Sequence, residues 1–202
     1  EGNNIIWQNE SEKENALSRF EDAYNVISNL QCNEALGNNL THVCEMYTGN
    51  GTLYIVMDTN FGQTYDQDTE TDLKKILNTI LVISKVIKQF HSQGLLYLDL
   101  KPENIMVCYE PNVWVWLFDM DSVISLSDLR NEPGRSISYS SGFAAPEQVM
   151  GLRNKIGFST DIYSIGAILF SKIMGRTVTN DDMGFFAEWE FEDEKFSKVN
   201  PI

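Results

Sequence analysis

The sequence predicts an α+β chain in two parts, one helix and a β-hairpin over residues 1–58 and a mainly helical body over 59–202. Three observations carry that expectation. An amphipathic repeat over 10–30 leads into an Asn-Gly turn between two β-rich runs. Two further helix-period segments follow, at 73–90 and 160–174, and only short strands stand between them. At roughly 150 residues per domain, 202 residues make one domain or one two-lobed unit.

In the first segment Ala16, Phe20, Ala23, Tyr24, Ile27 and Leu30 recur at three- and four-residue steps, which puts them on one helical face. Ser11 ahead of Glu14 offers a capping box. The runs 41–47 and 52–57 flank Gly49-Asn50-Gly51, and Asn-Gly suits a tight hairpin because both central residues of its turn need positive φ. After a polar stretch at 60–70, Leu73, Ile76, Leu77, Ile80, Ile83, Ile87 and Phe90 keep helical spacing until Gly94 supplies a stop. Residues 105–108 and 113–118 read as a strand pair around Pro111-Asn112, with Trp114 and Trp116 as strand packing. Residues 119–142, with seven serines, read as one long polar loop, and loops of that length in a compact domain are functional or disordered. Residues 160–174 form an apolar helix with Ser159 or Thr160 as its cap, and the last 26 residues are acidic and aromatic without a clean period.

Composition narrows the function classes. Apolar residues at 43% and charged residues at 22% exclude disordered and low-complexity chains. A net charge of −14 repels nucleic-acid phosphates and anionic membranes, so neither is an expected partner. The charge is concentrated at the ends: residues 1–34 and 177–202 each carry seven acids and two bases. Three cysteines, Cys32, Cys44 and Cys108, show no CxxC or zinc-finger spacing, so neither a disulfide framework nor a structural zinc is expected. The apolar stretches fall short of the ~20 residues that span a bilayer, and no leader pattern opens the chain. The expectation is an intracellular, cytoplasmic protein without a membrane segment.

The chemistry concentrates in Tyr97-Leu98-Asp99-Leu100-Lys101-Pro102-Glu103-Asn104, between a helix and a strand. An Asp, a Lys two residues on and an Asn three beyond it supply what phosphoryl transfer requires: a carboxylate for the attacking hydroxyl, a cation for the moving phosphoryl and an amide oxygen for a metal. At the end of the next strand, Asp119 in Phe118-Asp119-Met120-Asp121 adds a carboxylate suited to Mg²⁺, a hard cation that takes oxygen ligands. Ala145-Pro146-Glu147 and the segment 159–166 around Asp161 follow. An isolated Asp-x-x-x-x-Asn is a weak signal, since both residues are common turn formers; the four features in this order are a strong one.

Together they resemble the eukaryotic-type serine/threonine protein kinases, whose catalytic loop reads DLKPEN as this one does, over about 21–176. The resemblance implies a protein kinase-like two-lobed fold, with 1–58 a partial β-rich N-lobe and 59–202 the C-lobe. It implies a transferase moving the γ-phosphate of ATP, with Mg²⁺, to a Ser or Thr hydroxyl of a protein substrate. Asp99 would orient or deprotonate that hydroxyl, Lys101 would stabilise the phosphoryl, and Asn104 with Asp119 would hold Mg²⁺. Met57 would stand beside the adenine, with Asp58 to Asn60 as the hinge. Ser140 would bond the Asp and Lys, Glu147 would anchor the activation segment and Asp161 would brace the catalytic loop. Glu21, with Asp22 competing, would be the helix acid that pairs the ATP-binding lysine.

Several positions depart from the pattern. Tyr97-Leu98 stands where the family has His-Arg, which removes the cation that receives a phosphorylated activation loop. Met120-Asp121 replaces Phe-Gly: Met fills the apolar slot, and the lost Gly removes backbone freedom. No Gly-rich loop and no Val-Ala-Ile-Lys strand precede the first helix. Two readings follow, a partial kinase domain, which the retained Asp99, Lys101, Asn104 and Asp119 favour, and a pseudokinase or kinase-like interaction module. A small-molecule kinase shares the Asp…Asn…Asp geometry, but seldom Lys-Pro-Glu and usually not Ala-Pro-Glu.

Overall fold

The computed structural model describes residues 9–32, 39–58, 62–132, 134 and 137–182. Asn60 of the expected hinge and the tail 183–202 lie outside these residues. The first apolar repeat forms α1 (Glu10–Gln31), which buries Ile27 and Leu30. Its first turn differs from expectation. The Lys13 N–H bonds the Asn9 carbonyl and the helix starts at Glu10, so Ser11 falls inside the turn rather than capping it.

The hairpin consists of β1 (Val43–Gly49) and β2 (Thr52–Met57), antiparallel, with Gly49 opposite Thr52. Asn50 and Gly51 adopt φ of 50° and 73°, the left-handed pair that a two-residue hairpin turn requires. The strand begins later than the sequence suggests because the Thr41 N–H is taken by the Leu117 carbonyl, beside a parallel bridge from Leu40 to Leu117. The α1 helix packs on both strands of the hairpin.

Three antiparallel strands follow in the order β3 (Gln63–Thr64), β5 (Ile105–Cys108) and β6 (Trp114–Leu117). β3 lies in the stretch that reads as merely polar. Its approach to β5 depends on Gly62, where φ is 145° and a Cβ would sit 2.4 Å from the Val107 carbonyl oxygen. Between β3 and β5 run α2 (Leu73–Ser92) and β4 (Leu95–Leu96). Asp72 caps α2 by accepting from the Lys74 N–H at 2.8 Å, and Gly94 leaves its end at φ 73°. The buried face of α2 runs through Ile76, Thr79, Ile83, Val86, Ile87 and Phe90, while Leu77, expected on that face, is exposed.

The loop 119–142 is more structured than its composition suggests. β7 (Ile124–Ser125) pairs with β4, and α3 (Leu126–Asn131) follows, capped by the Ser125 hydroxyl accepting from the Asp128 N–H at 3.0 Å. The chain ends its described part with α4 (Pro146–Val149) and α5 (Phe158–Met174), the latter packed on α2. Thr160 is not the cap residue of α5. It sits one turn in and reaches back, its hydroxyl accepting from the Gly157 N–H at 3.1 Å.

One apolar cluster joins Ile27, Leu30 and Val43 to Ile83, Ile87 and Phe90 of α2, Val115 and Leu117 of β6, and Ile165 and Ile168 of α5. Each such side chain contributes about 1.5–3 kcal/mol when removed from water. A smaller cluster of Leu96, Leu98, Ile124, Leu129 and Ile156 lies under α3. Between them run residues 97–104, which are therefore held from two sides.

Candidate active site

The segment after β4 has no regular secondary structure until a 3₁₀ turn at Pro102–Asn104, so its shape must come from side chains. Asp161, fully buried on α5, supplies it. Its carboxylate accepts from the Leu98 N–H at 2.8 Å and the Tyr97 N–H at 3.0 Å, and His91 Nε2 of α2 lies 2.8 Å from Oδ2. Those bonds hold Leu98 at φ 66°, a left-handed conformation that costs a branched residue roughly 1–2 kcal/mol. The Leu98 side chain is buried in the smaller apolar cluster, and its carbonyl accepts from Gln148 Nε2 at 2.9 Å. Gln148 Oε1 in turn accepts from the Ala145 N–H at 3.0 Å, so the Ala145-Pro146-Glu147 segment is tied to residues 97–99.

Asp99 follows, buried, with one carboxylate oxygen accepting from Lys101 Nζ at 2.9 Å. The other, Oδ1, is buried and accepts no hydrogen bond from the described residues. A buried acceptor left in that state costs about 1–3 kcal/mol, which a hydroxyl donor would relieve. Lys101 Nζ also donates to Ser140 Oγ at 2.9 Å, so Ser140 meets Asp99 through the ammonium rather than directly. Burial opposes the Lys101 charge most strongly, but the Asp99 hydrogen bond together with the charges of Asp99, Asp119 and Glu103 outweighs it and raises its pKa. Asn104 is buried and donates its side-chain NH₂ to the Asp99 carbonyl at 3.1 Å, and its own carbonyl accepts from the Phe118 N–H at 3.2 Å. The 3₁₀ turn, the Asp99 backbone and the end of β6 are thus one hydrogen-bonded unit.

Asp119 lies just past β6 at φ 63°, also left-handed, and its side chain borders Asp121. Partial desolvation and then the neighbouring Asp121 charge push the Asp119 carboxyl up to about 6. A carboxyl beside a second carboxylate is suited to a divalent cation, and with the Asn104 side-chain oxygen the ligands are all hard oxygens. The residues present therefore fit Mg²⁺. Met120 is buried in the main core. The Tyr97 hydroxyl donates to the Phe118 carbonyl, and burial together with the charges of Asp119, Asp99, Asp121 and Asp161 raises its pKa and keeps it protonated.

Asp99, Lys101, Asn104, Ser140 and Asp161 are thus brought together, with Asp119 at their border. The Glu147 carboxylate accepts from the Thr160 hydroxyl at 2.6 Å, which joins the Ala145-Pro146-Glu147 segment to α5. Met57 and Asp58 lie exposed at the end of β2. Glu21 is exposed on α1, and no contact among the described residues joins it to the cluster. Sequence reasoning did not single out His91 or Gln148, and it gave Thr160 only as a candidate helix cap. His91 and Asp161 are 70 residues apart, and only the packing of α2 on α5 makes them neighbours.

Comparison with known proteins supplies an independent view. The family described as "Protein kinase domain" matches residues 6–198. Smooth muscle myosin light chain kinase of Gallus gallus is 30% identical over 186 residues, covering 85% of this chain and 9% of that protein. Myosin light chain kinase family member 4 of Mus musculus is 28% identical over 198 residues, covering 89% of this chain and 48% of that protein. A probable serine/threonine-protein kinase of Clostridium perfringens is 25% identical over 173 residues, covering 84% and 24%. The chain thus spans less than half the length of each of these relatives.

Proposed function

Because this chain belongs to the protein kinase family, we propose that it transfers the γ-phosphoryl group of ATP to serine or threonine hydroxyls of protein substrates. The observation that carries the reading is the buried Asp99, with one oxygen bonded to Lys101 and the other accepting no hydrogen bond from the described residues. In this reading Oδ1 accepts the substrate hydroxyl and orients its oxygen for attack. The proton passes to Asp99 as the new P–O bond forms and the bond from the γ-phosphorus to the bridging oxygen breaks, with ADP as the leaving group. Lys101, held between Asp99 and Ser140, places its positive charge where phosphoryl charge develops. Asn104 and Asp119 hold Mg²⁺, which when bound neutralises phosphate charge. Met57, Asp58 and Asn60 flank the nucleotide base, Glu147 anchors the activation segment through Thr160, and Glu21 serves as the helix acid. Residues 1–58 form the smaller lobe and 59–202 the larger.

Such catalysis consists mostly of positioning and electrostatics, which is why the bracing of the loop by Asp161 matters to rate as well as to fold. The free thiols of Cys32, Cys44 and Cys108 support a reducing, cytoplasmic setting. No helix among the described residues is long and apolar enough to cross a membrane. The test is transfer from γ-labelled ATP to generic basic proteins by the full-length protein, followed by phosphoamino-acid analysis. Label on serine or threonine is expected. Label on tyrosine alone overturns the specificity, and no label with any acceptor favours an interaction module.

A further inference from the structure

Away from Asp99, the base of the hairpin brings three unlike metal-ligating side chains to one point. Val43 pairs with Met57 and Glu45 with Val56, so β1 carries a bulge in which Cys44 is the extra residue. Bulges re-aim side chains, and this one brings the thiol toward His42. Across the pair, the Asp58 N–H donates to the His42 carbonyl at 2.8 Å, which fixes Asp58 beside His42 through the backbone. The Cys44 Sγ lies 3.3 Å from Asp58 Oδ1 and 3.8 Å from His42 Nδ1, and His42 Nδ1 lies 3.4 Å from Asp58 Oδ2.

Those separations have a chemical meaning. Zinc bonds sulfur at about 2.3 Å and nitrogen or oxygen at about 2.0–2.2 Å, so the ligand atoms of a tetrahedral ion stand about 3.3–3.6 Å apart. The three contacts each lie within about 0.3 Å of that range, the two to Asp58 through different oxygens, and one ligand atom from each residue lies within 4.8 Å of the others. The carboxylate faces the thiol with one oxygen and the imidazole with the other, so a small rotation presents either one to an ion. All three residues are exposed, which leaves a route for the ion and room for water as a fourth ligand.

We propose that His42, Cys44 and Asp58 form a binding site for a zinc-class transition-metal ion, with water completing the tetrahedron. The mixed sulfur, nitrogen and oxygen set disfavours Mg²⁺ and Ca²⁺, which take oxygen ligands, so the site is distinct from the one at Asp119 and does not depend on the kinase reading. Binding replaces the Cys44 S–H bond by an S–metal bond and releases that proton to solvent, with no change of oxidation state. Sequence spacing conceals the site, because the third ligand comes from just past the neighbouring strand, 14 residues beyond Cys44. An ion held there clamps the start of β1 to the residue that follows β2.

Titration of the protein with Co²⁺, read by absorption, tests the assignment. One equivalent is expected to produce a thiolate-to-cobalt charge-transfer band and the visible bands of a tetrahedral ion, both abolished by Zn²⁺. Cys44→Ser should remove the charge-transfer band, and His42→Ala should weaken binding at least tenfold. Cys32 and Cys108 remain as internal controls, since their thiols bond the Ser28 and Glu110 carbonyls instead. The three residues are exposed, so the variants should fold, and circular dichroism verifies this. A charge-transfer band that survives Cys44→Ser, or no tetrahedral spectrum with micromolar cobalt, overturns the proposal.

Discussion

Replacing Asp161 by alanine tests whether one buried carboxylate holds the 97–99 segment. The substitution removes the acceptor of the Tyr97 and Leu98 N–H groups and the partner of His91. Both amides are buried, and a buried donor left without a partner costs about 1–3 kcal/mol, so the two together give a loss of about 4 kcal/mol. Relaxation of Leu98 from φ 66° would return about 1 kcal/mol of that. The net expectation is a loss of about 3 kcal/mol. Equilibrium unfolding in urea measures it: at a slope of about 2 kcal/mol per molar the midpoint should fall by about 1.5 M with the slope unchanged. His91→Ala removes the contact to Asp161 and the ring packing on Phe158, leaves both amides bonded, and should cost less, about 2 kcal/mol. A midpoint for Asp161→Ala within about 0.3 M of the parent, or a larger loss in His91→Ala, would refute the reasoning.

Two further expectations rest on other contacts. The Asp119 carboxyl, raised to about 6, is protonated more readily folded than unfolded, so its ionisation removes stability as pH rises through that value. A divalent cation needs the ionised form, so the Mg²⁺-induced rise in Tm should be small at pH 5 and larger at pH 7, and Asp121→Asn should move that onset to lower pH; a rise independent of pH contradicts this. Lys172 of α5 donates to the Tyr65 and Asp68 carbonyls at 3.0 and 2.6 Å and lies 3.2 Å from the Asp68 carboxylate. Lys172→Met leaves that buried carboxylate without its cation and should cost about 3–5 kcal/mol in urea unfolding, partly recovered by adding Asp68→Asn; a near-neutral change contradicts the network.

The parts of this molecule that were legible in sequence are those whose signal is local. The α2 and α5 helices declare themselves by period, the hairpin by Asn50-Gly51, and the fold class by the order of these elements. β3, β4 and β7 are two residues each, too short to carry any period, and exist because a partner strand is in place. The α3 helix was hidden inside a serine-rich stretch, although its Ser125-x-x-Asp128 cap was present to be read. Motif spacing located residues 99–104, but not the contacts that shape them, which come from α2, α4 and α5. Leu98 shows the limit most clearly. Its sequence says that a cation is missing, whereas the structure shows an apolar anchor whose carbonyl ties Gln148 to the loop.

The most direct test of the central claim is the rate of γ-phosphoryl transfer by Asp99→Asn in the full-length protein, beside its thermal unfolding. Asparagine keeps the size of the side chain but cannot take the hydroxyl proton, and loss of a positioned base typically costs 10²–10⁴ in rate. The account predicts a fall of about 10² or more with the fold retained. A transfer rate equal to that of the parent would contradict it.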